Sequence, residues 1–349
     1  MAVKRYVILA EGAFDEEAKT ATGILRYANA PAVAVIDSTR AGTVAGDHAP
    51  GLESTVPVVA GLEEALPHRP TTLIVGVAPA GGKLPPSYRR IIVNALAHGL
   101  DVESGLHDFL DEDPELAAAA AAAGRELRDL RRVPADLDVP TGSNLTVPAH
   151  TVLTVGSDCA LGKMTVCLEL HAEAERRGLA SVFVPTGQTG IALAGWGIAV
   201  DQVISDYVAG AAERLVMEGH DRGGDGALLW VEGQGSLNHP FYSGVTLGLL
   251  HGSAPHAMVF VHEPGRELME GDPRYPIGPL TELIDDYVRL ARHIRRAPVV
   301  AVSLKTNRMD EAAARAAIEE VERDTGLVAD DPVRFGARRL LDAVLSARQ

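Results

Sequence analysis

One stretch constrains the fold more than any other. An apolar, β-type run at Thr151–Val155 leads through Gly156-Ser157-Asp158-Cys159-Ala160-Leu161-Gly162-Lys163-Met164-Thr165 into a helical pattern over 163–177. A strand, a glycine-bracketed turn and a helix are the contexts of a phosphate-binding loop, and they commit this part of the chain to a parallel α/β sheet. Gly156 and Gly162 let the backbone turn so that successive N–H groups face one anion. Lys163 adds a point charge, and the helix N-terminus adds its dipole. The candidate cofactor-binding set is therefore Gly156, Ser157, Asp158, Cys159, Ala160, Leu161, Gly162, Lys163, Met164 and Thr165. The usual loop has four residues between Gly and Gly-Lys, with Ser or Thr directly after Lys; here there are five, and Met164 precedes Thr165. The displaced hydroxyl sets Mg²⁺ ligation in question, although Thr165 can still face phosphates from the first helical turn. A loop lysine is expected to be exposed. Cys159, near a helix N-terminus, reads either as a small packing residue or as a nucleophile.

Two further segments belong with the loop. Phe183-Val184-Pro185-Thr186-Gly187-Gln188-Thr189-Gly190 follows the next strand, near 180–184, and sits where open α/β sheets bind ligands. Leu228-Leu229-Trp230-Val231-Glu232-Gly233-Gln234-Gly235-Ser236 is a buried strand ending in an acid. Glu232 could hold Mg²⁺ or its water, or act as a base. His239, close behind it, is the histidine best placed for proton transfer. Thr186, Gly187, Gln188, Thr189, Gly190, Gln234 and Ser236 are the candidate substrate-binding residues. Strands at Ala227–Val231, Ala257–His262 and Pro298–Ser303 and helices at 201–218, Thr281–Arg296, Asp310–Asp324 and Ala337–Ala347 complete this half. Asp206 and Glu213 read as core-packing helix positions with solvated ends.

The first third repeats the alternation. Tyr6–Ala10, Ala32–Asp37 and Thr72–Val77 read as buried strands, Glu16–Tyr27 and Ser87–Ala97 as helices, and Asp101–Glu103 as a short strand. Pro114–Arg132, with its alanine run, reads as one helix. Asp37 could hold a ribose, but only Gly12 stands where a dinucleotide fold needs three glycines, so nicotinamide binding is not expected. The Pro/Gly/Ser/Asn composition near 135–148 cannot continue a helix. The expected organisation is a Rossmann-like parallel sheet over 1–135, a linker over 136–148 and a larger P-loop NTPase-like α/β domain over 149–349.

Composition removes other classes. The net charge of −15, without a dense Lys/Arg run, and an aromatic content of 4% argue against nucleic-acid binding. The apolar N-terminal stretch breaks at Glu11, and no 18-residue apolar run exists, so neither a leader nor a membrane span is expected. Two cysteines, Cys159 and Cys167, fit a reducing cytoplasm and cannot build a disulfide framework. No metal site is expected, save Thr165 and Glu232 if MgATP is the ligand.

Gly156–Thr165, Thr186–Gly190 and Val231–Leu237, continued by Asn238-His239-Pro240 and Ser243–Ser253, resemble a bacterial family long called a domain of unknown function. The family pairs a Rossmann-like N-terminal domain with a phosphate-loop C-terminal domain and includes the DgcN-type D-glutamate N-acetyltransferases. The resemblance covers most of the chain and is densest over 150–265. It implies acetyl-CoA as donor, D-glutamate or a related D-amino acid as acceptor, and a homodimer. The acceptor amine must lose a proton, for which Glu232 or His239 is the candidate; backbone N–H groups or Lys163 would stabilise the oxyanion. The C-terminal half also resembles dethiobiotin synthetase, with its five-residue loop spacing, although that enzyme's lysine before Gln-Thr-Gly has no counterpart at Phe183 or Val184. That second resemblance implies an ATP- and Mg²⁺-dependent ligase or kinase acting on a small carboxylate.

Overall fold

Among the described residues, twelve parallel strands build two six-stranded sheets. The computed structural model describes residues 4–15, 18–49, 51–77 and 82–348. The chain divides into two compact units, Met1–Arg132 with Ile191–Trp196, and Val133–Gly190 with Gly197–Gln349. Among the described residues no helix is long and apolar enough to cross a membrane.

The first sheet contains β1 (Tyr6–Leu9), β2 (Ala32–Ile36), β3 (Val58–Val59), β4 (Thr72–Val75), β5 (Asp101–Ser104) and β6 (Leu127–Asp129) in the order β3-β2-β1-β4-β5-β6. This is the doubly wound order of dinucleotide-binding sheets. Its central strands are continuous apolar runs, as strands covered on both faces must be. Asp37, at the end of β2, is buried and already engaged. It accepts the N–H groups of Gly12 (3.1 Å), Phe14 (3.0 Å) and Thr39 (3.0 Å) and the Thr39 hydroxyl (2.6 Å). The loop after β1 thus donates to the protein's own carboxylate. The reading of 114–132 as one helix is corrected. The helix spans Pro114–Ala123, capped by Asp113, and ends at Gly124, whose φ of +62° stops it; the chain then re-enters the sheet as β6. Glu16 and Glu17, read as the start of a helix, lie outside the described residues; the helix is seen from Lys19 to Tyr27.

The second sheet contains β7 (His150–Gly156), β8 (Ser181–Val184), β9 (Leu228–Val231), β10 (Ala257–His262), β11 (Val299–Leu304) and β12 (Val328–Asp330) in the order β12-β11-β10-β7-β9-β8. From β7 the chain winds toward β8, returns to β9, then crosses to β10. The winding direction therefore reverses beside β7, which makes a switch point at the carboxyl ends of β7, β9 and β10. Two helices, Lys163–Arg176 and Arg338–Ser346, pack on each other, and Val208–Gly223 packs along Ser243–Ser253. The helix expected over 201–218 begins at Val208. Asp206 lies in a preceding 3-10 turn, Ser205–Tyr207, and shares no helical face with Glu213.

Glu213 is not a solvated end. Buried, it accepts Thr141 N (3.1 Å), Thr141 Oγ1 (2.6 Å) and Gly142 N (2.7 Å). The same segment comes so close to Gly210 that a Cβ there would lie 1.8 Å from Asp138 O. These contacts explain why a stretch with linker composition groups with the second unit.

Candidate functional site

The site is built at the carboxyl ends of β7, β8, β9 and β10. Gly156 serves by close approach rather than by turning: a Cβ there would lie 2.7 Å from Val261 O on the neighbouring β10. The turning is done by Ala160 (φ +56°) and Gly162 (φ +93°), positive angles of the kind that converge backbone N–H groups. Ser157 is buried, donates its N–H to Val261 O (3.1 Å), and holds its Oγ 2.9 Å from His262 Nδ1. Burial pushes the His262 pKa down to about 4, so the ring is neutral near pH 7.

Lys163 is only 6% exposed, and the expectation of an exposed lysine is corrected. Its Nζ folds back onto the loop and donates to Asp158 O (2.7 Å). Asp158 is fully buried. Its carboxylate accepts Cys159 N (2.7 Å) and Glu270 N (2.8 Å), with Arg266 Nη1 3.3 Å away. Met164 and Thr165 are half-buried on the first helical turn.

Glu232 caps β9 at 6% exposure. Its Oε2 accepts the N–H groups of Thr186 (3.0 Å) and Gly187 (3.2 Å), and Thr186 Oγ1 donates to its carbonyl (2.7 Å). The helix Gln188–Ala194 starts directly against this carboxylate. At Gly190 the approach needs glycine, since a Cβ there would lie 2.6 Å from Glu232 Oε2 and 2.9 Å from Pro185 Cβ; one at Gly187 would lie 2.7 Å from Gln234 Nε2. Gln234 Nε2 donates to Thr186 Oγ1 (3.1 Å). Gln188 is half-buried and Thr189 buried. Burial raises the Glu232 pKa to about 7, and the nearby Asp201 charge adds to it; the Thr186 and Gly187 N–H groups pull the other way without cancelling the shift. A carboxyl group balanced at neutral pH at the carboxyl edge of the sheet can accept or return a proton.

The next turn locks onto the loop. Gly233 N donates to Thr154 Oγ1 (3.0 Å), and a Cβ on Gly233 would lie 1.7 Å from Thr154 O and 2.9 Å from Lys163 Cδ. The buried Tyr287 hydroxyl donates to Gly156 O (3.1 Å) and accepts Leu237 N (3.1 Å). Ser236 is buried, with its hydroxyl on the Asn238 side chain. His239 is fully buried with both nitrogens engaged: Nδ1 accepts Phe241 N (3.2 Å), which leaves the proton on Nε2, facing Glu270 O at 3.1 Å. Asp158, Cys159 and His239 bring donor atoms within 4.8 Å of one another, a separation a metal could bridge. Nε2 holds its proton there, however, and Arg266 already stands on Asp158, so hydrogen bonds account for the grouping.

The comparisons fit both halves. The model described as the DUF1611 C-terminal P-loop domain, a domain of unknown function, matches residues 138–341, and the DUF1611 N-terminal Rossmann-like domain matches 38–133. The chain belongs to the DUF1611 family. The crystal structure of a DUF1611 family protein from Anabaena variabilis is similar to it with a TM-score of 0.93 and 42% identity, covering 98% of this chain and 99% of that one. A D-glutamate N-acetyltransferase from Tritonibacter scottomollicae is 43% identical over 284 residues, which is 81% of this chain and 84% of that protein. Another D-glutamate N-acetyltransferase, from a Pseudoalteromonas species, is 34% identical over 76% of this chain and 78% of that protein.

In this DUF1611 protein the structure brings the loop, the 186–190 turn, Glu232 and Gln234 to one sheet edge. Sequence reasoning missed Thr154, His262, Arg266 and Tyr287. His262 and Arg266 were within reach, since they end and follow a strand whose carboxyl end faces the switch point. Thr154 and Tyr287 carry no local signal, because their role exists only once β7 is paired.

Proposed function

We propose that this chain transfers the acetyl group of acetyl-CoA to the amine of D-glutamate or a closely related D-amino acid. The observation that carries the reading is the 43% identity, across most of both chains, to a protein named D-glutamate N-acetyltransferase. The site supports it with the chemistry such a transfer needs. The loop and Lys163 supply N–H donors and a charge for the donor's phosphates, and neither task requires Mg²⁺. Glu232 accepts the proton that the acceptor amine must lose. The amine nitrogen then attacks the thioester carbonyl, the C–S bond breaks, and CoA leaves as thiolate, which takes up the second proton that the new amide nitrogen sheds. Glu232 is favoured over His239 as base because both His239 nitrogens are engaged. A homodimer in the cytoplasm is part of the same proposal; the free cysteines accord with a reducing compartment.

Purified protein mixed with acetyl-CoA and D-glutamate should release free thiol, and the release should survive EDTA. No thiol release across a panel of D- and L-amino acids would overturn the reading. Turnover that appears only with ATP and stops in EDTA would favour the ligase alternative, with Thr165 and Glu232 as metal-binding residues.

A further inference from the structure

We propose that Arg266 is a second phosphate-binding cation of the loop, acting with Lys163 on the phosphates of the acyl donor; the inference rests on the donor reading above. Arg266 follows β10, the strand whose Val261 pairs with Gly156 at the base of the loop. Its guanidinium braces the loop directly. Nη1 donates to Cys159 O (3.0 Å) and stands 3.3 Å from Asp158 Oδ2. Lys163 stands on the same residue, at the Asp158 carbonyl. Both cations therefore converge on one point of the loop, one through each end of Asp158.

A carboxylate buried inside an anion-binding loop works against the anion unless a cation faces it. Asp158 is that carboxylate, and Arg266 faces it. The guanidinium has further donors. Nε lies 3.5 Å from Glu263 Oε2, a carboxylate that Lys305 also faces at 3.4 Å, and Nη2 rests on Glu270. The Glu270 side chain is about half exposed (49%), so this contact is a surface ion pair of small worth and easily exchanged. Nη1 stays fixed on Cys159 O and Asp158 while Nη2 passes from Glu270 to a phosphate oxygen. The planar fork suits that exchange, because it can hold a loop carbonyl and an oxyanion together.

The competing role is purely local: Arg266 could serve only to neutralise Asp158. Calorimetric titration of wild type, Arg266→Ala, Arg266→Lys and the double variant Asp158→Asn/Arg266→Ala with CoA and with inorganic pyrophosphate separates the two. The expected result is that Arg266→Ala binds both probes roughly 10- to 100-fold more weakly. Arg266→Lys should recover part of the loss, and the double variant should remain weak although no buried charge is left unpaired. Wild-type affinity in Arg266→Ala, or its restoration in the double variant, would overturn the proposal. Wild-type protein that binds pyrophosphate but not CoA would remove the donor reading and leave Arg266 as a phosphate ligand. Binding of neither probe by wild type would remove both. Thermal melts of each variant establish that it is folded, and Arg266→Lys preserves the test if Arg266→Ala is not.

Discussion

The two sheets end corresponding strands in a carboxylate and use it in opposite ways. Asp37 closes β2 of the first sheet and Glu232 closes β9 of the second; both are buried, and both accept N–H groups from a neighbouring loop. Burial works to raise the pKa of both carboxyls. At Asp37 the Thr39 hydroxyl and the N–H groups of Phe14, Gly12 and Thr39 outweigh burial, and the carboxyl is held below the usual range. At Glu232 the Thr186 and Gly187 N–H groups do not, and the pKa rises to about 7. A strand-ending acid saturated with donors is a structural pin, whereas one left short of donors becomes a proton carrier.

Exchanging each acid for its amide should break this contrast most visibly. Glu232→Gln keeps an oxygen for the Thr186 and Gly187 N–H groups but cannot take a proton, so the turnover rate should fall roughly 10²- to 10⁴-fold. Its stability should move the other way. A carboxyl whose folded pKa is raised contributes stability at low pH and loses it as pH rises through about 7. At pH 8 the Gln variant should therefore melt no lower than wild type, and a lower melting temperature would mean that the charged carboxylate is structural.

Lys163→Ala tests the loop of the second sheet. CoA affinity should fall roughly 10- to 100-fold. Because Lys163 is buried and bonded to Asp158 O, its loss should also lower the melting temperature of ligand-free protein, unlike that of an exposed lysine. Unchanged CoA affinity would place the phosphate site elsewhere.

Asp37→Asn should do the reverse of Glu232→Gln. Activity should hold, and stability should drop by about 1–3 kcal/mol, because an amide cannot satisfy every donor that Asp37 now holds. Chemical denaturation beside a steady-state assay checks both, and an inactive, stable variant would sink the contrast.

The smallest effect is in acid. Burial is the largest cause lowering His150, His256 and His262, all in the second unit, to about 4. A histidine with a depressed folded pKa resists protonation, and three such rings outweigh Glu232, whose raised pKa works the other way, so the second unit should lose stability as pH falls from roughly 6.5 toward 4. The Asp37 contribution persists over that window, because a depressed carboxylate is lost only below its ordinary pKa of roughly 4. Hydrogen exchange resolved by segment should show the second unit opening first as pH drops; simultaneous opening of both units would contradict this.

Much of this arrangement was legible in the residues. β7, its loop and the acid after β9 were readable because apolar runs, glycines and charge stand within a few positions of one another. The end of the helix at Ala123 was also written locally, in Gly124, but the alanine run on one side and Glu126–Arg132 on the other share helical propensity, and only pairing with β5 makes Leu127–Asp129 a strand. The inward turn of Lys163, the engaged ring of His239 and the anchoring of Thr141–Ser143 by Glu213 depend on partners 5 to 72 positions away. No spacing rule encodes such pairings, which follow from strand order.

The pH dependence of kcat/KM for D-glutamate, measured in wild type and in Glu232→Gln, tests the central claim most directly. Wild type should show a rising limb with an apparent pKa near 7, from loss of the Glu232 proton, and the limb should disappear in the residual activity of the Gln variant. A limb of the same pKa in both proteins would contradict the assignment of Glu232 as the base.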